Sequence, residues 1–197
     1  VAGSAALTFN VGEYGSRTEE SDFRENKDLA MTMGAAAVYG QGTTDVLDGS
    51  TDFDKADVNA DFGLRAEGFT TQAEFYYRHV ELDDVTTEED SADDVGFYVQ
   101  AGYQFVPNEW ELVAQFDYIS PDSDLDGLNR PFTDSFEPEG VDGAIDDAQQ
   151  YAVVLNYYIN GHALKVQTGV TWTVTNFAND FDDGNGDITD AFYQMKL

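Results

Sequence analysis

The chain has no cysteine, which excludes disulfides, thiolate metal sites and cysteine nucleophiles and leaves the redox compartment unread. It is also poor in positive charge. Nine Lys and Arg stand against 39 Asp and Glu, for a formal net charge of -30. A surface of that sign repels a phosphate backbone, so nucleic acid is excluded as a partner. The two histidines, His79 and His162, are far apart in sequence, and neither a zinc site nor a Ser-His-Asp arrangement finds support in them. No apolar run approaches the roughly 18 to 20 residues of a membrane helix, and residues 1–15 lack the charged start and apolar middle of a signal peptide. Three readings survive: a soluble protein, one that crosses a membrane as strands, or one whose beginning has been removed.

What the sequence does have is alternation. From Val58 onward every second residue is Val58, Ala60, Phe62, Leu64 and Ala66, with Asn59, Asp61, Gly63, Arg65 and Glu67 between them. A period of two is that of a strand with two unlike faces. The pattern recurs over residues 5–14, 29–40, 58–69, 71–82, 95–105, 110–119, 151–159, 163–173 and 191–197. These predict about nine strands, an all-β fold and a single domain over 1–197. Most are about 9 to 12 residues long, beyond the usual 5 or 6 and suited to a tilted membrane-crossing strand. Only the Ala-rich stretch 34–38 reads equally well as helix.

The connections alternate in kind. Tight turns are expected at 68–71, 106–109 and 160–161, the last an Asn-Gly hairpin signal. Long connections are expected at 41–55, 82–94, 120–147 and 174–190, and these hold 25 of the 39 acidic residues against only Lys55 and Arg130. Short turns at one end and long loops at the other describe a transmembrane antiparallel β-barrel. Segment 15–28 is long yet falls on the short-turn side, and its charge is nearly balanced.

One register is almost free of charge, as in Phe97, Val99, Ala101, Tyr103 and Phe105, or Trp110, Leu112, Ala114, Phe116 and Tyr118; His79 is the mild exception. An Arg or Lys facing lipid at mid-depth costs roughly 2 to 4 kcal/mol, so this register is assigned to hydrocarbon and the polar one to a wet lumen. A soluble sandwich or lipocalin-like barrel has an equally apolar face. The membrane reading is favoured because Tyr39, Phe69, Phe105, Trp110, Tyr157 and Trp172 lie near strand ends, as an interfacial aromatic belt requires. The residues expected to line the lumen are Asp61, Arg65, Glu67, Glu74, Arg78, Gln100, Glu111, Asp117, Lys165 and Lys196.

Two acidic patterns have the spacing of sites. Asp122, Asp124 and Asp126 precede Gly127 in the D-x-D-x-D-G opening of a calcium loop, but Thr133 occupies the position of the bidentate glutamate. A weakly bound calcium ion, or bridging to lipopolysaccharide, is the most this supports, and no other cofactor is expected. Glu67 and Glu74 are expected to face each other across the 68–71 turn, like the carboxylate pair of a glycosidase. In a chain with 39 carboxylates such pairs arise by chance, and no enzymatic activity is expected.

The segments FRENKDLAMTMGAAAVYG, KADVNADFGLRAEGFTTQAEFYYRHVE, DDVGFYVQAGYQFVPNEWELVAQFDYISPD and YAVVLNYYINGHALKVQTGVTWTV together resemble the C-terminal part of the phosphate-selective porin O and P family of Gram-negative outer membranes. The most specific pieces are the strand GFYVQAGY and the hairpin start LNYYINGH. The resemblance implies a 16-stranded, homotrimeric outer-membrane barrel that passes small solutes through a lumen narrowed by loops. Nine strands do not complete such a barrel, so the chain is expected to lack the first strands and the extreme C-terminus. Phosphate selectivity is not carried over, because the inward cations are few and opposed by carboxylates, and an acidic vestibule enriches cations. The expected function is passive diffusion of ions and small hydrophilic solutes with a weak cation preference. The alternative is a soluble, acidic, calcium-binding β-sandwich that binds carbohydrate or a protein partner. A structural envelope protein with a plugged lumen is a third.

Overall fold

A computed structural model describes residues 2–12, 28–46, 49–82, 91–122, 145–160, 164–177 and 191–196. Nine strands follow one another in chain order: β1 (Ala2–Val11), β2 (Ala30–Val46), β3 (Gly49–Ala66), β4 (Phe69–Leu82), β5 (Ser91–Val106), β6 (Trp110–Ser120), β7 (Ile145–Tyr158), β8 (Lys165–Phe177) and β9 (Ala191–Lys196). Each pairs antiparallel with the next in a single open sheet, with β1 and β9 at its edges. There is no helix among the described residues. The stretch 34–38 resolves as strand: Ala35 pairs with Leu7 on one side and Ala60 on the other. Two flanking ladders outweigh the helix preference of alanine.

The tight turns are built by the residues their geometry demands. Between β3 and β4 the loop is Glu67-Gly68, with φ of 50° and 78°, the two left-handed positions of a type I′ hairpin turn. Between β5 and β6, Glu109 N–H donates to Val106 C=O at 3.1 Å and Asn108 has φ 60°. Pro107 then stands at the second position and Asn108 at the third of a type II turn. The Asn160 connection is longer than the two-residue hairpin its Asn-Gly suggests. Ile159 and Asn160 N–H both donate to Leu164 C=O, while Gly161 lies outside the described residues.

The expected long connection at 41–55 is instead mostly ladder. β2 and β3 stay in register from Ala30↔Arg65 to Val46↔Gly49 without a shift, leaving two residues at the tip. Thr, Asp and Gly predominate there and Val46 and Phe53 are its only apolar strand residues, too few for an amphipathic signature, and the arm is held by backbone pairing and by contacts such as Thr43 Oγ1 to Asp52 Oδ1 at 2.8 Å.

Away from the irregularities at Gln104/Val106 and Ile145/Asp147, register sorts the strand residues onto two faces. Phe9, Met33, Phe62, Ala73, Val99, Phe116, Tyr151 and Trp172 are successive cross-strand partners and form one apolar row over eight strands. One residue along, Thr8, Gly34, Asp61, Glu74, Tyr98, Asp117, Gln150 and Thr173 form the adjacent row on the opposite face. Burial follows these faces in the reverse of the soluble order. Thr32, Arg65, Thr70, Gln104, Glu111, Asn156, Thr173 and Thr175 are buried, as are Ala30, Leu82, Ala92, Val113, Ala148 and Tyr158, and all fourteen fall on the polar face by register. Leu7, Phe9, Val58, Phe75, Val99, Leu112, Val153, Val166 and Trp172 on the other face are exposed. Side chains converge inside a curved sheet and diverge outside it. The polar face is therefore the concave one.

Replacing Gly68 by Ala forces a Cβ into a backbone at φ 78° and is expected to lower stability by about 1 kcal/mol. Asn108→Gly, at φ 60°, is expected to change it by a few tenths only. Equilibrium unfolding in urea distinguishes the two.

Candidate functional site on the concave face

Nine of the ten residues expected to line a lumen fall on the concave face by register. Asp61 pairs with Glu74, Glu74 with Tyr98, Tyr98 with Asp117, and Gln100 with Gln115; Arg65, Arg78, Glu111 and Lys165 share the face. Lys196 pairs with Thr171 at a concave-face position. Glu67 is the exception: it is exposed in the hairpin turn, because a period-two count cannot be carried through a two-residue turn. Its expected partner Glu74 is opposite Asp61 instead.

Two of the nine are packed within the wall. Arg65 is 1% exposed and Glu111 0%. Glu111 Oε2 accepts from Tyr158 O–H at 2.6 Å and from Asn156 Nδ2 at 2.9 Å. Gln167 Nε2 donates to Asn156 Oδ1 at 2.8 Å, so the network crosses β6, β7 and β8. The other oxygen, Oε1, is buried with no hydrogen-bond partner. It lies over Gly102 of β5: a Cβ there would sit 2.6 Å from Glu111 Oε1 and 2.8 Å from Thr70 Oγ1. Gly102 is thus the gap into which the carboxylate folds. Sequence reading placed Arg65 and Glu111 on the correct face but missed Asn156 and Tyr158, whose neighbours are about 45 residues away in the chain.

Higher on the same face the groups are less buried. Asn59 Nδ2 donates to Glu74 Oε1 at 2.8 Å, and Gln115 Nε2 to Asp117 Oδ1 at 2.8 Å, while Asp117 Oδ2 is buried without a partner. Like charges directly opposite, as in Asp61 and Glu74, work against the pairing of their strands. The cations of this region are matched locally: Lys55 Nζ lies 3.0 Å from Asp57, and Arg78 Nε donates to Asp94 Oδ2 at 2.6 Å with Nη2 on the same oxygen.

At the long-connection end the ladder is closed by carboxylates. Asp93 N–H donates to Asp122 Oδ2 at 3.0 Å, and Asp122 N–H to Asp94 Oδ1 at 2.9 Å. Asp93 itself is bonded by Tyr77 O–H at 2.6 Å and by His79 Nδ1 at 2.8 Å. These two contacts, the tyrosine first, hold its carboxyl below the usual carboxylate range. Of the proposed calcium loop, Asp122 is thereby engaged with β5, and Asp124 and Asp126 lie outside the described residues. No cluster of metal-ligating side chains occurs among the described residues.

On the convex face the described ring contacts fall into two groups. Trp110 and Tyr157 stack at 4.5 Å near the short turns. Tyr118, Phe97, Phe116, Tyr151 and Trp172 form a chain of ring contacts at 4.9 to 6.4 Å farther along. Trp110 and Tyr118 are eight residues apart on one strand, roughly 26 Å.

Comparison with known proteins finds no matching family model, no matching curated protein and no matching solved structure. The functional reading therefore rests on the two faces of the sheet.

Gly102→Ala is expected to cost about 1 to 3 kcal/mol by overpacking. The cost falls when Glu111→Ala is combined with it, since the opposing oxygen is gone; a double-mutant cycle by urea unfolding reads this coupling.

Proposed function

We propose that the chain forms part of the wall of a transmembrane β-barrel of the porin type in a bacterial outer membrane, through which ions and small hydrophilic solutes diffuse passively. The observation that carries this reading is the reversed burial: the buried residues lie on the polar face and the large apolar side chains on the other face are exposed. Water is the wrong solvent for that convex face. Hydrocarbon is the right one, and the concave face then borders the aqueous path. The length of most strands suits an apolar band about 25 Å tall crossed at a tilt. Closure requires partners for the edges of β1 and β9, and a homotrimer among lipid and lipopolysaccharide is the assembly that the porin resemblance implies.

The selectivity follows from which charges reach the path. Arg65 and Glu111 are buried in the wall, and Arg78 is held by Asp94. Asp61, Glu74 and Asp117 line up on one cross-strand row, and a band of carboxylates concentrates cations. The pore is thus weakly cation-preferring and carries out no chemistry. Phosphate is not its preferred solute.

Reconstituted in a planar bilayer under a KCl gradient, the protein is expected to give a reversal potential of cation sign, which moves toward zero in the combined variant Asp61→Asn, Glu74→Gln, Asp117→Asn. In gels it is expected to need detergent and to show heat-modifiable mobility. Anion preference would refute the selectivity. A compact monomer in plain buffer that loses stability with chelator would instead establish the soluble calcium-binding sandwich.

A further inference from the structure

The concave face carries a cavity of about 500 Å³ between β2 and β6, in the upper half of the wall. Its size falls within the range of small-molecule sites. Tyr76 and Tyr98 line it together with Val38, Ile119, Asn59 and Asp117, so two aromatic rings and aliphatic groups lie where the neighbouring wall is polar. The cations at its border are each paired with a carboxylate, Lys55 with Asp57 and Arg78 with Asp94. Asp117 is different. Its carboxylate lines the cavity, and its Oδ1 accepts only from the neutral amide of Gln115, with no cation beside it among the described residues. A half-buried carboxylate without an ion partner gains from a charged donor that the cavity brings to it.

We propose that this cavity binds small organic cations with an aromatic body, the ring lying against Tyr76 and Tyr98 and the ammonium donating to Asp117. Tyrosine faces attract cations as well as rings, and the net charge of the chain, -30, raises the local concentration of positively charged solutes. Neutral aromatic alcohols share the ring contact without the charge. Aromatic carboxylates meet Asp117 and are repelled. The inference rests on the porin reading for the ligand's route to the site, but binding itself does not depend on conduction.

Titration calorimetry of the folded full chain in detergent micelles, with phenethylammonium, 2-phenylethanol and phenylacetate as separate ligands, tests it. Saturable binding is expected in the order phenethylammonium, 2-phenylethanol, phenylacetate. Asp117→Asn is expected to weaken phenethylammonium roughly tenfold and to leave 2-phenylethanol within about twofold, whereas Tyr98→Leu weakens both. Heat-modifiable mobility of each variant reports that it has folded. Absence of saturable binding, equal binding of phenylacetate and phenethylammonium, or an unchanged phenethylammonium affinity in Asp117→Asn would each overturn the proposal. Conductance without binding would remove the site and leave the pore; binding to a protein that stays soluble in plain buffer would do the reverse.

Discussion

Hydrophobic side chains leave water at a gain of roughly 25 cal/mol per Å² of apolar surface, and a single sheet has only two faces on which to realise it. In this chain one face holds an apolar row from Phe9 to Trp172 that nothing among the described residues covers. The solvent that meets that face decides what the molecule is. With hydrocarbon outside, alternation, strand length, aromatic placement and charge distribution fit one arrangement. With water outside, a second layer has to cover the face, and β1 to β9 form one layer only.

The concave face meets the opposite difficulty. Side chains converge there, so polar groups lose water and must satisfy one another. Glu111 Oε2, Tyr158, Asn156 and Gln167 meet this with hydrogen bonds running across three strands, and Gly102 provides the space for the carboxylate. Near the short turns the wall is consequently dense and self-bonded. Toward the long connections it opens into a cavity with Tyr76, Tyr98 and Asp117 at its border. A tightly packed lower wall and a roomier upper one divide rigidity from ligand access.

Much of the fold was legible in the sequence because a period of two is a local property. Val58, Ala60, Phe62 and Leu64 share one face, as their spacing predicts, and Glu67-Gly68 and Pro107-Asn108 announce their turns. What escaped was set by nonlocal geometry. The β2–β3 arm reads as loop because Val46 and Phe53 are too few apolar residues among its Thr, Asp and Gly to make an alternation, although backbone pairing needs none. Glu67 was misplaced because the alternation stops at a turn. The burial of Arg65 and Glu111 depends on sheet curvature and on a glycine of another strand, which no spacing reveals. Alternation alone sets Tyr98 on the polar register beside Gln100, and Tyr76 with Glu74 and Arg78; that the two rings border one cavity with Asp117 depends on three strands coming together, which no spacing reveals.

The β2–β3 ladder carries a mechanical consequence. Its seventeen residue pairs extend roughly 56 Å at 3.3 Å per residue, well beyond what an apolar band about 25 Å tall occupies even at a 45° tilt. In the barrel proposed above, the surplus would stand clear of the membrane as a hydrogen-bonded parapet. A solute arriving from that side would then meet a fence at one part of the rim, and its approach would be lopsided before any side chain of the lumen was reached.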